Sequence, residues 1–219
     1  MMSLQFIFTQ MSNDIEIIET YSFIANKEID EGYATHDMNH IKRVIDNCEI
    51  ISRLLGINEE DILAIKIAAL LHDIGCVTDG KKGHANRSAE WAKRYLQDKT
   101  LPESTLAKII TAISEHSNSA KSVYGKILLF SDKIDICEKR ILPSGLNTVG
   151  NRQYAHIKSV EIAVKDETLI VDFLTDGNID ISEMNEYYFT DKVYQGIADL
   201  AHCFGLKYET MIDGVNYTK

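Results

Sequence analysis

The chain is short of cysteine, of positive charge and of long apolar runs, and each shortage excludes something. Four cysteines (Cys48, Cys76, Cys137, Cys203) are spread over 219 residues. None is part of a Cys-x-x-Cys pair, so neither a zinc knuckle nor a disulfide frame is expected, and a reducing cytoplasm is the expected compartment. Lys and Arg total 23 against 33 Asp and Glu, a formal net charge of -10. Binders of duplex nucleic acid and of anionic membranes want basic surfaces, so neither is expected here. A phosphate substrate stays open, because a pocket can be locally positive through metals and a few Lys or Arg. No apolar stretch reaches the length of a membrane span, and Met1 to Gln10 lacks the basic start and full apolar core of a signal peptide.

What is present describes an ordinary globular protein, 45% hydrophobic and 26% charged, long enough for one full core with an appendage. Residues 1–12 read as a flexible extension. From Asn13 to residue 143 the periodicity is helical throughout. Ile15, Ile18, Tyr21 or Ser22, Ala25 and Ile29 make a first stripe, stopped at Gly32. Asp37 caps a second helix with Ile41, Val44, Ile45, Cys48 and Ile51 inward. Asn58 caps a third, with Glu59, Glu60 and Asp61 where the helix dipole favours negative charge. A fourth begins near His84, a fifth at Pro102 with Leu106, Ile109, Ile110 and Ile113 inward, and a sixth runs from about Ser122 to Arg140 before Pro143 breaks the pattern. Residues 144–219 change register. Val160, Ile162 and Val164 alternate, then Leu169, Val171 and Phe173, as in a hairpin. One helix from Asp176-Gly177 to Gly205 and a last strand over 206–212 follow. The expected class is mainly α: a helical bundle with a small C-terminal α+β appendage.

The third helix organises the rest. Leu63 to Leu71 is apolar nearly all round, with Lys66 the only charge, as in a helix packed on several sides. It ends in His72-Asp73, two costly polar groups at the end of the most buried segment, and then Gly75, which suits a helix terminus. Other helices do the same. His40 shares the buried stripe of its helix, His84 lies on the face of Ser88, Trp91 and Tyr95, His116 continues Leu106, Ile109 and Ile113, and Asp132 interrupts Leu128, Leu129 and Ile136. Singly, each reads as a hydrogen-bonded core residue or a salt-bridge partner. Together they read as metal ligands, because a cation removes the cost of burying a carboxylate. His40, His72, Asp73 and Asp132 form a mixed nitrogen and oxygen set suited to first-row divalent metals. The pattern does not choose among Mn, Fe, Ni, Co, Zn and Mg.

The segments His40-x-x-Arg43-Val44, Ala68-Ala69-Leu70-Leu71-His72-Asp73-Ile74-Gly75 and Ser131-Asp132-Lys133-Ile134-Asp135 resemble the HD superfamily of metal-dependent phosphohydrolases. The likeness spans about residues 35 to 142. It implies an HD-type domain over 13–143 and one or two divalent ions. His40, His72, Asp73 and Asp132 would hold the first ion, and His84 and His116 look like the extra ligands of the binuclear branches. Lys126 to Arg140 resembles the equivalent helix of bacterial diadenosine tetraphosphate hydrolases. Two departures stand out. His116 is followed by Ser117 where binuclear branches often pair histidines, and Cys76, read as a small buried thiol, stands where many members carry Lys.

The expected activity is hydrolysis of a phosphate ester, in a nucleotide or related small molecule, by metal-activated water. Asp73 is the expected bridge between ions, and His36 a candidate for touching substrate or protonating a leaving group. Arg43, Lys81, Lys82, Arg87 and Lys133 are candidate phosphate contacts, each of which reads alternatively as a surface or salt-bridge residue. Two other readings are a di-iron oxygenase on the same ligand frame and a non-catalytic module that binds metal or nucleotide. Strand edges in the appendage could pair two copies into a homodimer.

Overall fold

A computed structural model describes residues 3–117 and 119–217. The chain divides into two compact units, Met1–Asn26 with His36–Asp132, and Lys27–Thr35 with Lys133–Lys219. The division thus falls after Asp132 rather than at residue 143, and Lys27–Thr35 goes with the later part. Among the described residues no helix is long and apolar enough to cross a membrane.

The first unit is helical. Its elements are α1 (Leu4–Ser12), the start of α2 (Ile15–Glu31), α3 (Met38–Leu54), α4 (Glu59–Leu71), the short α5 (Cys76–Asp79), α6 (His84–Leu96), α7 (Glu103–Glu115) and α8 (Val123–Lys133), whose last residue opens the second unit. The central helix is α4, packed by α1, α3, α6 and α7. All its residues from Ile67 to Leu71 are buried, and Asn58 accepts a hydrogen bond from the Asp61 amide at its start. Lys66 escapes the core by pairing with Glu49 of α3 and lying 5.0 Å from the Phe8 ring of α1.

Two expectations fail in this unit. Residues 4–12 are no loose extension: Ile7 and Met11, one helical turn apart, are buried, and α1 packs on α4. Met1 and Met2 lie outside the described residues. In α2 the buried stripe is Ile17, Tyr21 and Ile24, whereas Ile15, Ile18 and Ile29 are exposed. Both rows fit a 3.6-residue period, and period alone does not say which is covered. On α7, Leu106 and Ile110 are half-buried while Ile109 and Ile113 are buried.

The Glu49–Lys66 contact carries a pH prediction. Hydrogen bonds from Lys66 and then Arg53 hold the Glu49 carboxyl below its ordinary value. The folded state therefore gains stability above the unfolded pKa of about 4.3 and loses it as pH falls through the lower folded value. Glu49→Gln should lower the melting temperature at neutral pH, and the gap from wild type should close on acidification, as read from thermal unfolding at a series of pH values.

In the second unit, a four-stranded sheet has the order β1-β2-β3-β4: β1 (Ile157–Lys165), β2 (Thr168–Thr175), β3 (Lys207–Ile212) and β4 (Val215–Asn216). β1 and β2 form the expected hairpin, turning at Asp166 and Glu167, both with positive φ. β3 runs parallel to β2, and the helical segment between them supplies the crossover that a parallel pair needs. The helical return is split into α10 (Ile181–Met184) and α11 (Tyr188–Cys203), where one continuous helix was expected, and α9 (Pro143–Leu146) is a single turn. Leu169, Val171 and Phe173 of β2 and Val193, Ile197 and Leu200 of α11 are buried in this unit, where α11 packs on β2.

The expected extension of α8 to Arg140 also fails, since it stops at Lys133. Arg140 is buried and donates to the carbonyls of Asp135 at 2.8 Å and Thr35 at 3.2 Å. The Asp135 carbonyl is one that a continued α8 would have satisfied itself.

Candidate metal centre

Local structure delivers each side chain from a helix end. Asp37 accepts from the His40 amide at 2.8 Å, which sets His40 in the first turn of α3. His72 and Asp73 follow the last residue of α4, and the Leu70 carbonyl freed there accepts from the buried Tyr21 hydroxyl at 2.8 Å. Tyr21→Phe would leave that carbonyl buried without a partner. A loss of about 1–3 kcal/mol is expected in denaturant unfolding.

Gly75 is required for a different reason than helix termination. Its φ is -70°, an ordinary helical value. A Cβ there would lie 2.5 Å from the Ser88 nitrogen and 2.6 Å from the His84 carbonyl oxygen. The Gly75 amide donates to Ser88 Oγ at 2.9 Å. Gly75 is therefore where the post-α4 turn is pressed against the first turn of α6, which carries His84.

His36, His40, His72, His116 and His84 stand in a row, with successive ring centroids 5.4, 5.5, 4.9 and 4.9 Å apart. Asp73 lies along this row and divides its carboxylate. Oδ2 is 3.1 Å from His72 Nε2, 3.5 Å from His40 Nε2 and 3.9 Å from His36 Nε2. Oδ1 is 3.1 Å from His84 Nε2 and 3.6 Å from His116 Nε2. Asp132 Oδ1 closes the first group, 3.4 Å from His40 and 3.7 Å from His72. Two ligand sets result, His40, His72, Asp73 and Asp132, and Asp73, His84 and His116, with the ligand atoms of each within 4.8 Å of one another.

The hydrogen bonds of the imidazoles show what these nitrogens are prepared for. Nδ1 of His72, His84 and His116 faces the carbonyl of Ala69, Lys81 and Ile113, at 2.8, 2.6 and 2.6 Å. A carbonyl only accepts, so each Nδ1 donates to it and Nε2 is the ring nitrogen left facing the carboxylates, as in a metal-binding imidazole. His84 Nε2 and His116 Nε2 are 2.9 Å apart, although Nδ1 of each ring already donates to a carbonyl. His72 Nε2 is buried and makes no well-formed hydrogen bond. Such an arrangement is repulsive unless a proton or a cation sits among the nitrogens, and a divalent ion fits this donor set.

Titration behaviour points the same way. Burial pushes His72 down, yet the Asp73 and Asp132 carboxylates hold it up at about 10. Asp73 is opposed by burial and pulled well below the usual carboxylate range by His72, His36 and the other rings. Burial keeps His116 low, and therefore neutral and able to donate its lone pair. Two closely placed carboxylates in a buried setting demand positive charge, which an ion supplies.

The remaining candidates do not all come together. His36 is buried and reaches Asp73, as above. Arg43 is half-buried one turn after His40. Lys81 and Lys82 are exposed on the loop before α6. Arg87 donates from Nε, Nη1 and Nη2 to the carbonyls of Gly75, Lys82 and Gly80 at 2.8, 2.7 and 2.5 Å. It ties the loop that presents His84. Lys133 belongs to the second unit, buried with Nζ 5.5 Å from the Phe189 ring centre. Cys76 is buried. Sequence reasoning missed the supporting roles of Tyr21 and Ser88. A tyrosine in the buried row of α2 and a serine on the His84 face were the available signals.

The profile of the HD domain family matches residues 38–137, a span that holds all six members of the two ligand sets. Residues 38–137 are an HD domain. Among solved structures, the chain is similar to a crystal structure of a "predicted HD superfamily hydrolase" from an uncultured Thermotogales bacterium. The two are 27% identical, with a TM-score of 0.46, over 62% of this chain and 75% of that one. No curated protein matches. Within the HD domain, the His72-Asp73 pair is the junction of the two ligand sets, and His36 lies two residues ahead of the matched span.

Proposed function

We propose that the protein is a metal-dependent phosphohydrolase that cleaves a phosphate ester in a nucleotide or related small molecule. The observation that carries this reading is the divided carboxylate of Asp73, with one oxygen toward each ligand set. His40, His72, Asp73 and Asp132 would hold one divalent ion, and Asp73, His84 and His116 a second. Bound there, such ions would supply Lewis acidity toward a phosphoryl oxygen and bring the pKa of a water to about 7.

The chain's own residues do the rest. Nδ1 hydrogen bonds to Ala69, Lys81 and Ile113 keep the three rings oriented, so ligand positions cost no reorganisation when substrate arrives. His36, within 3.9 Å of Asp73, is placed to hold a proton beside the reacting group. Arg43, three residues after His40, and Lys81 and Lys82, just before His84, would draw a phosphate into an otherwise acidic protein.

The test is phosphate release from a panel of p-nitrophenyl phosphate, mononucleotides and dinucleoside polyphosphates. The protein is stripped with chelator and then reloaded with Mn, Ni, Co, Fe, Zn or Mg. Release by at least one loaded form and none by the stripped form is expected. No release from any substrate, together with iron-dependent oxygen uptake, would replace the hydrolase reading with the oxygenase one.

A further inference from the structure

The sheet of the second unit has β1 and β4 at its edges. β4 is two residues long, too short to template a partner. β1 has nine residues, and its outer backbone groups face away from β2. Such a long edge invites pairing unless the fold blocks it.

The side chains of β1 add a second feature. Val160, Ile162 and Val164 lie opposite Phe173, Val171 and Leu169 of β2, so they share the sheet face that α11 covers on β2 and β3. Their partners on β2 are at most 3% exposed, while the three β1 residues are only half-buried. The core face therefore continues past its helical cover, as a row of β-branched residues along an open edge. On the other face, Glu161 and Lys165 are exposed with Ala163 between them.

We propose that this edge is where two copies of the chain join, each adding β1 antiparallel to the other's β1 about a twofold axis at Ile162. The sequence is nearly symmetric about that residue: Val160-Glu161-Ile162-Ala163-Val164. In this register Ile162 meets the partner's Ile162, and Val160 meets the partner's Val164 twice over, as an isologous contact requires. On the opposite face Glu161 stands across from the partner's Ala163, with the partner's Lys165 on one diagonal and the partner's Glu161 on the other, so the lysines offset the repulsion of the two carboxylates. Neighbouring registers pair less of the apolar row: an axis at Ala163 sets Glu161 opposite the partner's Lys165 but leaves Val160 opposite the partner's Asp166 at the turn. Centring on Glu161 sets two carboxylates face to face. A one-residue shift puts Val160 against the partner's Ala163 and turns the partner's apolar row to the other side of the sheet. Main-chain hydrogen bonds give such strand addition its affinity, and the side-chain pattern gives its specificity.

Sedimentation of the full chain over a wide concentration range tests this. Wild type should be a dimer. Ile162→Lys opposes two ammonium groups on the axis and should weaken the dimer by at least about tenfold, with unchanged circular dichroism. Glu161→Lys should weaken it too, and adding Lys165→Glu should restore it. If Ile162→Lys does not fold, cross-linking replaces it: in a Cys203→Ser background, which removes the exposed thiol, Ile162→Cys should form a disulfide-linked dimer under diamide and Ser159→Cys should not. A monomer at every concentration, a dimer indifferent to Ile162→Lys and the charge swap, or equal cross-linking through positions 159 and 162 would overturn the proposal.

Discussion

Asp73→Ala should cost the protein both ions at once. One oxygen of Asp73 faces His72 and His40, and the other faces His84 and His116, so a single substitution takes a ligand from each set. His84→Ala or His116→Ala takes a ligand from one set only and should leave the complete His40, His72, Asp73 and Asp132 set able to hold its ion. Metal analysis after dialysis should show Asp73→Ala near zero equivalents, with the two histidine variants retaining one. Hydrolysis by Asp73→Ala should fall by more than the roughly 10–100-fold that loss of an outer hydrogen-bonding partner usually costs. Asp73→Asn is the sharper variant, because it keeps the shape and one acceptor oxygen and should retain at most one ion. If Asp73→Ala kept two ions, or lost one only, the carboxylate would not be shared.

Gly75→Ala should be the most damaging conservative change away from the ligands. The added methyl would sit 2.5 Å from the Ser88 nitrogen and 2.6 Å from the His84 carbonyl. Both are backbone atoms of α6 and cannot rotate aside. Overpacking of this kind typically costs about 1–3 kcal/mol. The strain is relieved by moving the first turn of α6, and His84 with it. The expected result is a lower unfolding midpoint together with a selective weakening of the second ligand set, seen in a metal titration as a loss of the weaker of two binding steps. Ser88→Ala, which deletes only the hydrogen bond to the Gly75 amide, should shift both measurements less. An unchanged midpoint and two unaltered steps in Gly75→Ala would mean that the close approach is not what positions His84.

The ligand-bearing helix ends were legible because polar residues stood where apolar ones were due. His40, His72, His116 and Asp132 each continue a buried stripe, and buried polar groups need a partner that the sequence shows only collectively. The α4 rod was legible for the same reason, having no face left for water except through Lys66. What could not be read was tertiary choice. Helix α2 carries isoleucines on two faces, and only the packing decides that Ile17 is buried and Ile15 exposed. The burial of Ile7 and Met11 depends on α4 accepting α1, which nothing local to residues 4–12 announces. Arg87 reads as a phosphate contact because a loop arginine beside histidines invites that reading. Its partners in the structure are the carbonyls of Gly75, Gly80 and Lys82, groups present in every sequence and invisible in composition. The end of α8 at Lys133 is similar, with no glycine or proline nearby to mark it and a buried Arg140 serving the carbonyls instead.

In the proposed centre Asp73 joins two metal sites within residues 38–137. Anomalous scattering from crystals loaded with manganese tests it most directly. Two peaks are predicted, one beside Asp73 Oδ2 among His40, His72 and Asp132, and one beside Oδ1 between His84 and His116. A single peak in the first set, with His84 and His116 hydrogen-bonded to each other and to no ion, would contradict it.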